Sequence, residues 1–94
     1  MPFPNQTPRP FTRDGIEWLN PDQYGCYGLF REGKWIYVGK GDIRSRLLDH
    51  LDGDDPLIIV EAPTHFVAVV TTNPDAVEMQ LIAELDPIAN RRLR

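Results

Sequence analysis

The chain has 94 residues, 41% of them hydrophobic and 26% charged, with a formal net charge of −4. That length bounds it to one domain burying about 60–65% of the surface its unfolded form exposes, and no apolar run approaches the ~18 residues that argue for a membrane span. The negative balance argues against a protein that wraps long duplex nucleic acid, since sequence-independent affinity comes from neutralising phosphates with Lys and Arg, and the lone Cys26 excludes an internal disulfide and a thiolate zinc site.

Residues Met1 to Pro10 hold four prolines. They are expected to be extended and to form a surface arm, and they carry neither a signal-peptide core nor a transit-peptide pattern, so a cytoplasmic location is expected. We divide the chain into a Pro-rich arm over residues 1–20 and a folded domain over 21–94. From Tyr24 to Gly39, two runs rich in aromatic and β-branched residues flank Arg31-Glu32-Gly33, which predicts a β-hairpin. With Gly33 left-handed at the end of a three-residue loop, Phe30 faces Lys34, Tyr27 faces Tyr37, and both phenols share one face. A two-residue loop would instead put them on opposite faces.

Asp42 suits the N-cap of a helix over residues 42–52, whose apolar positions Ile43, Leu47, Leu48 and Leu51 follow helical spacing, with Gly53 placed to end it. Leu57 to Val60 is too short to classify by periodicity, whereas His65 to Thr71 reads as a strand. Asn73-Pro74 starts a second helix that Pro87 terminates or bends. The order strand, strand, helix, strand, helix and short tail predicts a compact α+β domain, with a small antiparallel three-stranded sheet and helices packed on it.

The informative positions break these patterns. Glu78 falls within the apolar arc of Val77, Leu81, Ile82 and Leu85, where a carboxylate either snorkels to the sheet edge or meets a cation. Arg46 and His50 lie one turn apart beside the apolar stripe of the first helix and can act on one target, with Arg44 a rival for the same task. Glycine weakens a strand unless something must approach closely, and Gly25, Gly28, Gly39 and Gly41 crowd the hairpin. Gly39-Lys40-Gly41 leads into a helix N-terminus and suits an anion such as phosphate, though it lacks P-loop spacing. Lys40, Arg44 and Arg46 cluster, as do Arg91, Arg92 and Arg94, while Asp49, Asp52, Asp54, Asp55 and Glu61 occupy the middle of the chain.

Taken in order, Gly25-Cys26-Tyr27 and, ten residues later, Tyr37-Val38-Gly39 resemble the two signature tripeptides of the GIY-YIG nuclease family. Arg46, His50, Glu78, Pro87 and Asn90 match the residues that follow in that family, and Leu81 to Asn90 is similar to the corresponding stretch of bacterial excision-repair nuclease domains. The match runs from about Tyr24 to Asn90. Cys26 stands where Ile or Val is usual, and the segment between Gly39 and Arg46 is a residue shorter than in several relatives.

The resemblance implies a metal-dependent endonuclease that hydrolyses phosphodiester bonds, in DNA rather than RNA, with one Mg²⁺ or Mn²⁺ held by Glu78. In that reading Arg46 clamps a phosphate oxygen, Tyr27 deprotonates the attacking water, and Tyr37 orients water or phosphate. His50 is the rival base, because a phenol with a pKa of about 10 is a poor one. Gly39, Lys40, Arg44 and Asn90 are expected to contact substrate, and site specificity is expected to come from a protein partner or from the terminal arm, or to be weak. The alternatives are a degenerate module that binds nucleic acid without cutting it, and a small protein-interaction domain in which these residues only pack.

Overall fold

A computed structural model of the chain, which describes residues 3–92, orders its elements as β1 (Arg9–Pro10), α1 (Arg13–Glu17), β2 (Tyr24–Arg31), β3 (Lys34–Asp42), α2 (Ile43–Leu51), α3 (Pro56–Glu61), β4 (His65–Val70), α4 (Pro74–Leu85) and α5 (Ile88–Arg92). The α+β class is as expected. The sheet has four strands, in the order β1-β4-β2-β3, rather than three, and every neighbouring pair is antiparallel. No helix among the described residues is long and apolar enough to cross a membrane.

The additional strand comes from the segment expected to be a surface arm. Arg9 pairs with Phe66 and Pro10 with His65, so the proline sits on an edge strand, where its missing N–H disrupts no central ladder. Phe3 is buried and stacks on Trp35, with ring centroids 5.7 Å apart. Thr12 caps α1 by accepting from the Gly15 N–H, and the helix delivers Ile16 to the core. Two apolar anchors thus outweigh the proline-rich composition of this segment. Met1, Pro2, Leu93 and Arg94 lie outside the described residues.

The hairpin corrects the expected loop. Its turn has two residues, Glu32 and Gly33, at φ 51° and 78°, the left-handed pair that matches the strand twist in a tight hairpin. Tyr27 therefore faces Gly39, not Tyr37. The phenols nevertheless share a face, because the register shifts between Leu29 and Phe30: Phe30 faces Trp35, Leu29 faces Tyr37, and Ile36 is the extra residue of a bulge. One bulge reverses the parity that the two-residue turn sets.

The core has two layers, one on each side of the sheet. Tyr27, Leu29, Ile36 and Phe66 pack with Ile16 of α1, Ile43 and Leu47 of α2 and Ile58 of α3. Cys26, Val38 and Val67 pack on the other face with Phe3 and with Val77, Leu81, Ile82 and Leu85 of α4. The unclassified stretch Leu57 to Val60 is helical, started by Pro56 in its first turn and by Asp55, whose carboxylate accepts from the Leu57 N–H at 2.9 Å. Asp86, at φ 45°, ends α4 one residue before Pro87, and the expected tail forms α5 beside β3.

Side-chain carboxamides pair with backbone on the edge strand β3 and on β4 beyond the two residues that β1 covers. Asn90 accepts from the Val38 N–H at 2.8 Å and donates to the Val38 carbonyl at 3.0 Å on β3. On β4, Gln6 does the same to Ala68, at 3.0 and 2.8 Å.

Candidate active site

Helix α2 aims the first part of the site. Asp42 is its N-cap, accepting from the Ser45 N–H at 3.3 Å, so the helix N-terminus that could have received a phosphate is filled by the chain's own carboxylate. With Ile43 and Leu47 buried in the core, helical spacing brings Arg46 and His50 to the sheet face that carries the tyrosines. At the other end Gly53 takes φ 92°, its N–H bonds to the His50 carbonyl at 3.1 Å, and the Asp54 N–H bonds to the Asp49 carbonyl at 3.2 Å. This Schellman turn needs a left-handed residue, which glycine supplies without steric cost, and it folds Asp54 back over the last helical turn.

The result is a hydrogen-bonded chain of three side chains. Tyr27 Oη lies 2.7 Å from His50 Nε2, and His50 Nδ1 lies 2.8 Å from Asp54 Oδ1. Tyr27 is 0% exposed and His50 3%. Tyr37 completes an aromatic triangle, with ring centroids 6.3 Å from Tyr27 and 5.2 Å from His50. Gly39, opposite Tyr27, leaves the space this ring occupies: a Cβ there would overlap the Tyr27 hydroxyl. The close approach that requires this glycine is made by a side chain.

Arg46 stands at the mouth of the cluster, 38% exposed, with Nη1 3.0 Å from Asp49 Oδ2 and 3.7 Å from Asp54 Oδ2. Burial pushes the Tyr27 phenol well above its usual range, the neighbouring Tyr37 adds to this, and the Arg46 charge opposes it. Tyr37 is raised by burial first and by the Glu78 charge second. Tyr37 therefore feels groups on both faces, as expected for a residue on edge strand β3.

The second part of the site comes from α4. Glu78, with 20% of its side chain exposed, does meet a cation: Lys40 Nζ lies 3.5 Å from its Oε1 and 2.7 Å from Asp75 Oδ1. Lys40 projects to the α4 side, because it pairs with Cys26 in the ladder. Burial, reinforced by Glu78, raises the Cys26 thiol to about 11, so at neutral pH it stays protonated and is no nucleophile.

The structure thus brings Tyr27, Tyr37, Arg46 and His50 together on one face and sets Glu78 and Lys40 around the β3 edge. It gives Asn90 and Arg44 different surroundings. Both polar atoms of the Asn90 side chain are spent on Val38, which makes Asn90 a clamp on the strand between Tyr37 and Gly39. Arg44 Nε is buried without a hydrogen-bond partner. Arg91 pairs with Asp86 at 3.5 Å. Asp54 carries no helical or strand periodicity, and its one signal in the sequence is an acid following a helix-ending glycine, four residues after a histidine. No protein-family model matches the chain, and no curated protein matches it.

Proposed function

We propose that this protein is a GIY-YIG-type nuclease, a metal-dependent endonuclease that hydrolyses phosphodiester bonds. The observation that carries the reading is the buried hydrogen-bonded pair Tyr27 and His50 with the Arg46 guanidinium beside it, a proton acceptor chain next to a phosphate-sized cationic group. The preference for DNA rests on the likeness of Leu81 to Asn90 to excision-repair domains.

The reading calls for a divalent cation, Mg²⁺ or Mn²⁺, held by one carboxylate and otherwise by water. Among the described residues there is no group of three or more His, Cys, Asp or Glu that could hold a metal. Glu78, partly exposed, would be that carboxylate, with the ion taking the place that Lys40 Nζ now holds at 3.5 Å. Bound there, the ion would offset the negative charge that builds up on the phosphate and the departing oxygen.

The protein's own groups do the rest. Both His50 nitrogens are engaged and Tyr27 is itself 0% exposed, so the attacking water reaches the pair from the mouth of the cluster, as Arg46 moves onto the phosphate, and meets Tyr27 Oη rather than a free His50 nitrogen. The base is therefore the pair: Tyr27 Oη takes a proton from the attacking water as its own proton moves to His50 Nε2, and no free phenolate forms against the burial that disfavours it. The water oxygen bonds to phosphorus while the opposite P–O bond breaks, and the departing alkoxide takes a proton from solvent. Arg46 exchanges its carboxylate partners for phosphate and stabilises the added negative charge with its forked donors. Tyr37, half-buried between Glu78 and His50, orients the phosphate or the water.

The test is incubation with labelled single-stranded, duplex and branched DNA and RNA, in Mg²⁺, Mn²⁺ or EDTA. Cleavage with metal and none in EDTA is expected. Binding without cleavage of any of them would make the protein a nucleic-acid-binding module, and neither binding nor cleavage would leave an interaction domain. On a cleaved substrate, Arg46→Ala is expected to lower the rate by about 10²- to 10³-fold, because it removes a preorganised charge from the transition state. Arg44→Ala is expected to cost less than about tenfold, since Arg44 contributes no comparable charge at the reacting phosphate. The reverse order would shift the phosphate clamp to Arg44.

A further inference from the structure

We propose that Asp54 is a positioning residue of this site, fixing the His50 tautomer and through it the direction in which the Tyr27 hydroxyl points. The inference rests on the nuclease reading for its catalytic consequence but not for its geometry. An ionised carboxylate only accepts hydrogen bonds, so the 2.8 Å contact from Asp54 Oδ1 requires a proton on His50 Nδ1. In a neutral imidazole Nε2 is then an acceptor, and the 2.7 Å contact requires Tyr27 to donate. The phenolic proton is committed to His50, which leaves the lone pairs of Tyr27 Oη directed away from the imidazole, one of them toward the Arg46 guanidinium that donates to it. A water proton can be received at the other. Without Asp54 the other tautomer becomes available, His50 Nε2 donates to Tyr27, and the lone pair that should receive the water proton is taken.

The same carboxylate offsets the charge that forms when the Tyr27 proton reaches His50. Oδ1 holds Nδ1–H of the imidazolium, while Oδ2 lies 3.7 Å from Arg46. Asp54 thus acts on two cations with opposite consequences for the reaction. It supports proton acceptance by His50, and it competes with phosphate for Arg46. A residue that only shielded Arg46 would be one whose removal strengthens substrate binding and speeds cleavage. A positioning residue is one whose removal slows the chemical step even where binding improves.

The experiment compares the parent with Asp54→Asn and Asp54→Ala. Long-range ¹H–¹⁵N spectra of the His50 imidazole, recorded without substrate or metal, are expected to show a single Nδ1–H tautomer in the parent and a mixture in both variants. Retention of the single Nδ1–H form in both variants would overturn the inference, and this result is independent of whether the protein cleaves anything. On a duplex oligodeoxynucleotide with Mn²⁺, kcat for Asp54→Asn is expected to fall about 10- to 100-fold with KM unchanged or lower, and Asp54→Asn is expected to add no further loss to His50→Ala. An unchanged or higher kcat in Asp54→Asn would also overturn it. If the parent cleaves no substrate, the nuclease reading fails and the imidazole spectra decide the positioning role alone.

Discussion

Replacing Glu78 by Gln is expected to abolish metal-dependent cleavage, by about 10³-fold or more, while leaving the metal-free fold intact. The amide keeps the size of the side chain and removes the charge that, on the proposed mechanism, a hydrated Mg²⁺ or Mn²⁺ would need from Glu78. The fold should tolerate this. Lys40, which faces Glu78 at 3.5 Å, keeps its closer partner Asp75 at 2.7 Å, so no buried charge is orphaned. Thermal unfolding in EDTA should therefore coincide for the parent and the variant. Millimolar Mn²⁺ should then raise the melting temperature of the parent only, by binding to the folded state. A variant that melts well below the parent in EDTA would make the Glu78–Lys40 pair structural, and equal stabilisation of both proteins by Mn²⁺ would put the metal elsewhere.

Tyr27→Phe should fail twice, in activity and in stability. Loss of the hydroxyl removes the oxygen that receives the water proton, and losing a positioned general base costs typically 10²- to 10⁴-fold in rate. The same change leaves His50 Nε2, on a residue only 3% exposed, facing a ring that offers no hydrogen bond. An unsatisfied buried acceptor costs about 1–3 kcal/mol, readable as a lower midpoint in urea with an unchanged slope. The stability loss alone, with full cleavage retained, would reduce the pair to a packing element. Rate loss without destabilisation would mean that a water replaces the hydroxyl in the variant.

Local chemistry in the sequence was sufficient for much of this site. Asp42, the spacing of Ile43 and Leu47, and Gly53 fix helix α2 and hence the one-turn separation of Arg46 and His50. The shared face of Tyr27 and Tyr37 was also expected, but from a three-residue loop; a two-residue turn and a bulge at Ile36 produce it instead, two reversals of parity that cancel. A bulge depends on how Trp35 and Ile36 are divided between the two core layers, which no single strand reveals. Nor was Asp54 legible as part of the site, because it lies past the helix end and reaches His50 only through the backbone reversal at Gly53. The pairing of Glu78 with Lys40 depends on α4 docking against the β3 face that carries Lys40, a contact between segments far apart in the chain. Phe3 and Ile16 show the opposite limit: a proline-rich composition describes the backbone of the first residues and says nothing of two side chains that bury themselves.

Gln6 and Asn90 carry a consequence beyond the site. An open strand edge is a template on which another polypeptide can polymerise, and a four-stranded sheet has two such edges. The carboxamide of a side chain has one donor group and one acceptor in the same relative placement as a peptide unit. At Val38 and Ala68 it therefore saturates the backbone as a neighbouring strand would, but ends the ladder because no further chain is attached. Pro10, on the edge strand β1, adds a position that cannot donate to a further strand. On the β3 side the capping residue is Asn90, and it occupies the backbone of Val38, the link between Tyr37 and Gly39, so the same two hydrogen bonds that close this stretch of the edge also hold the strand that carries the site.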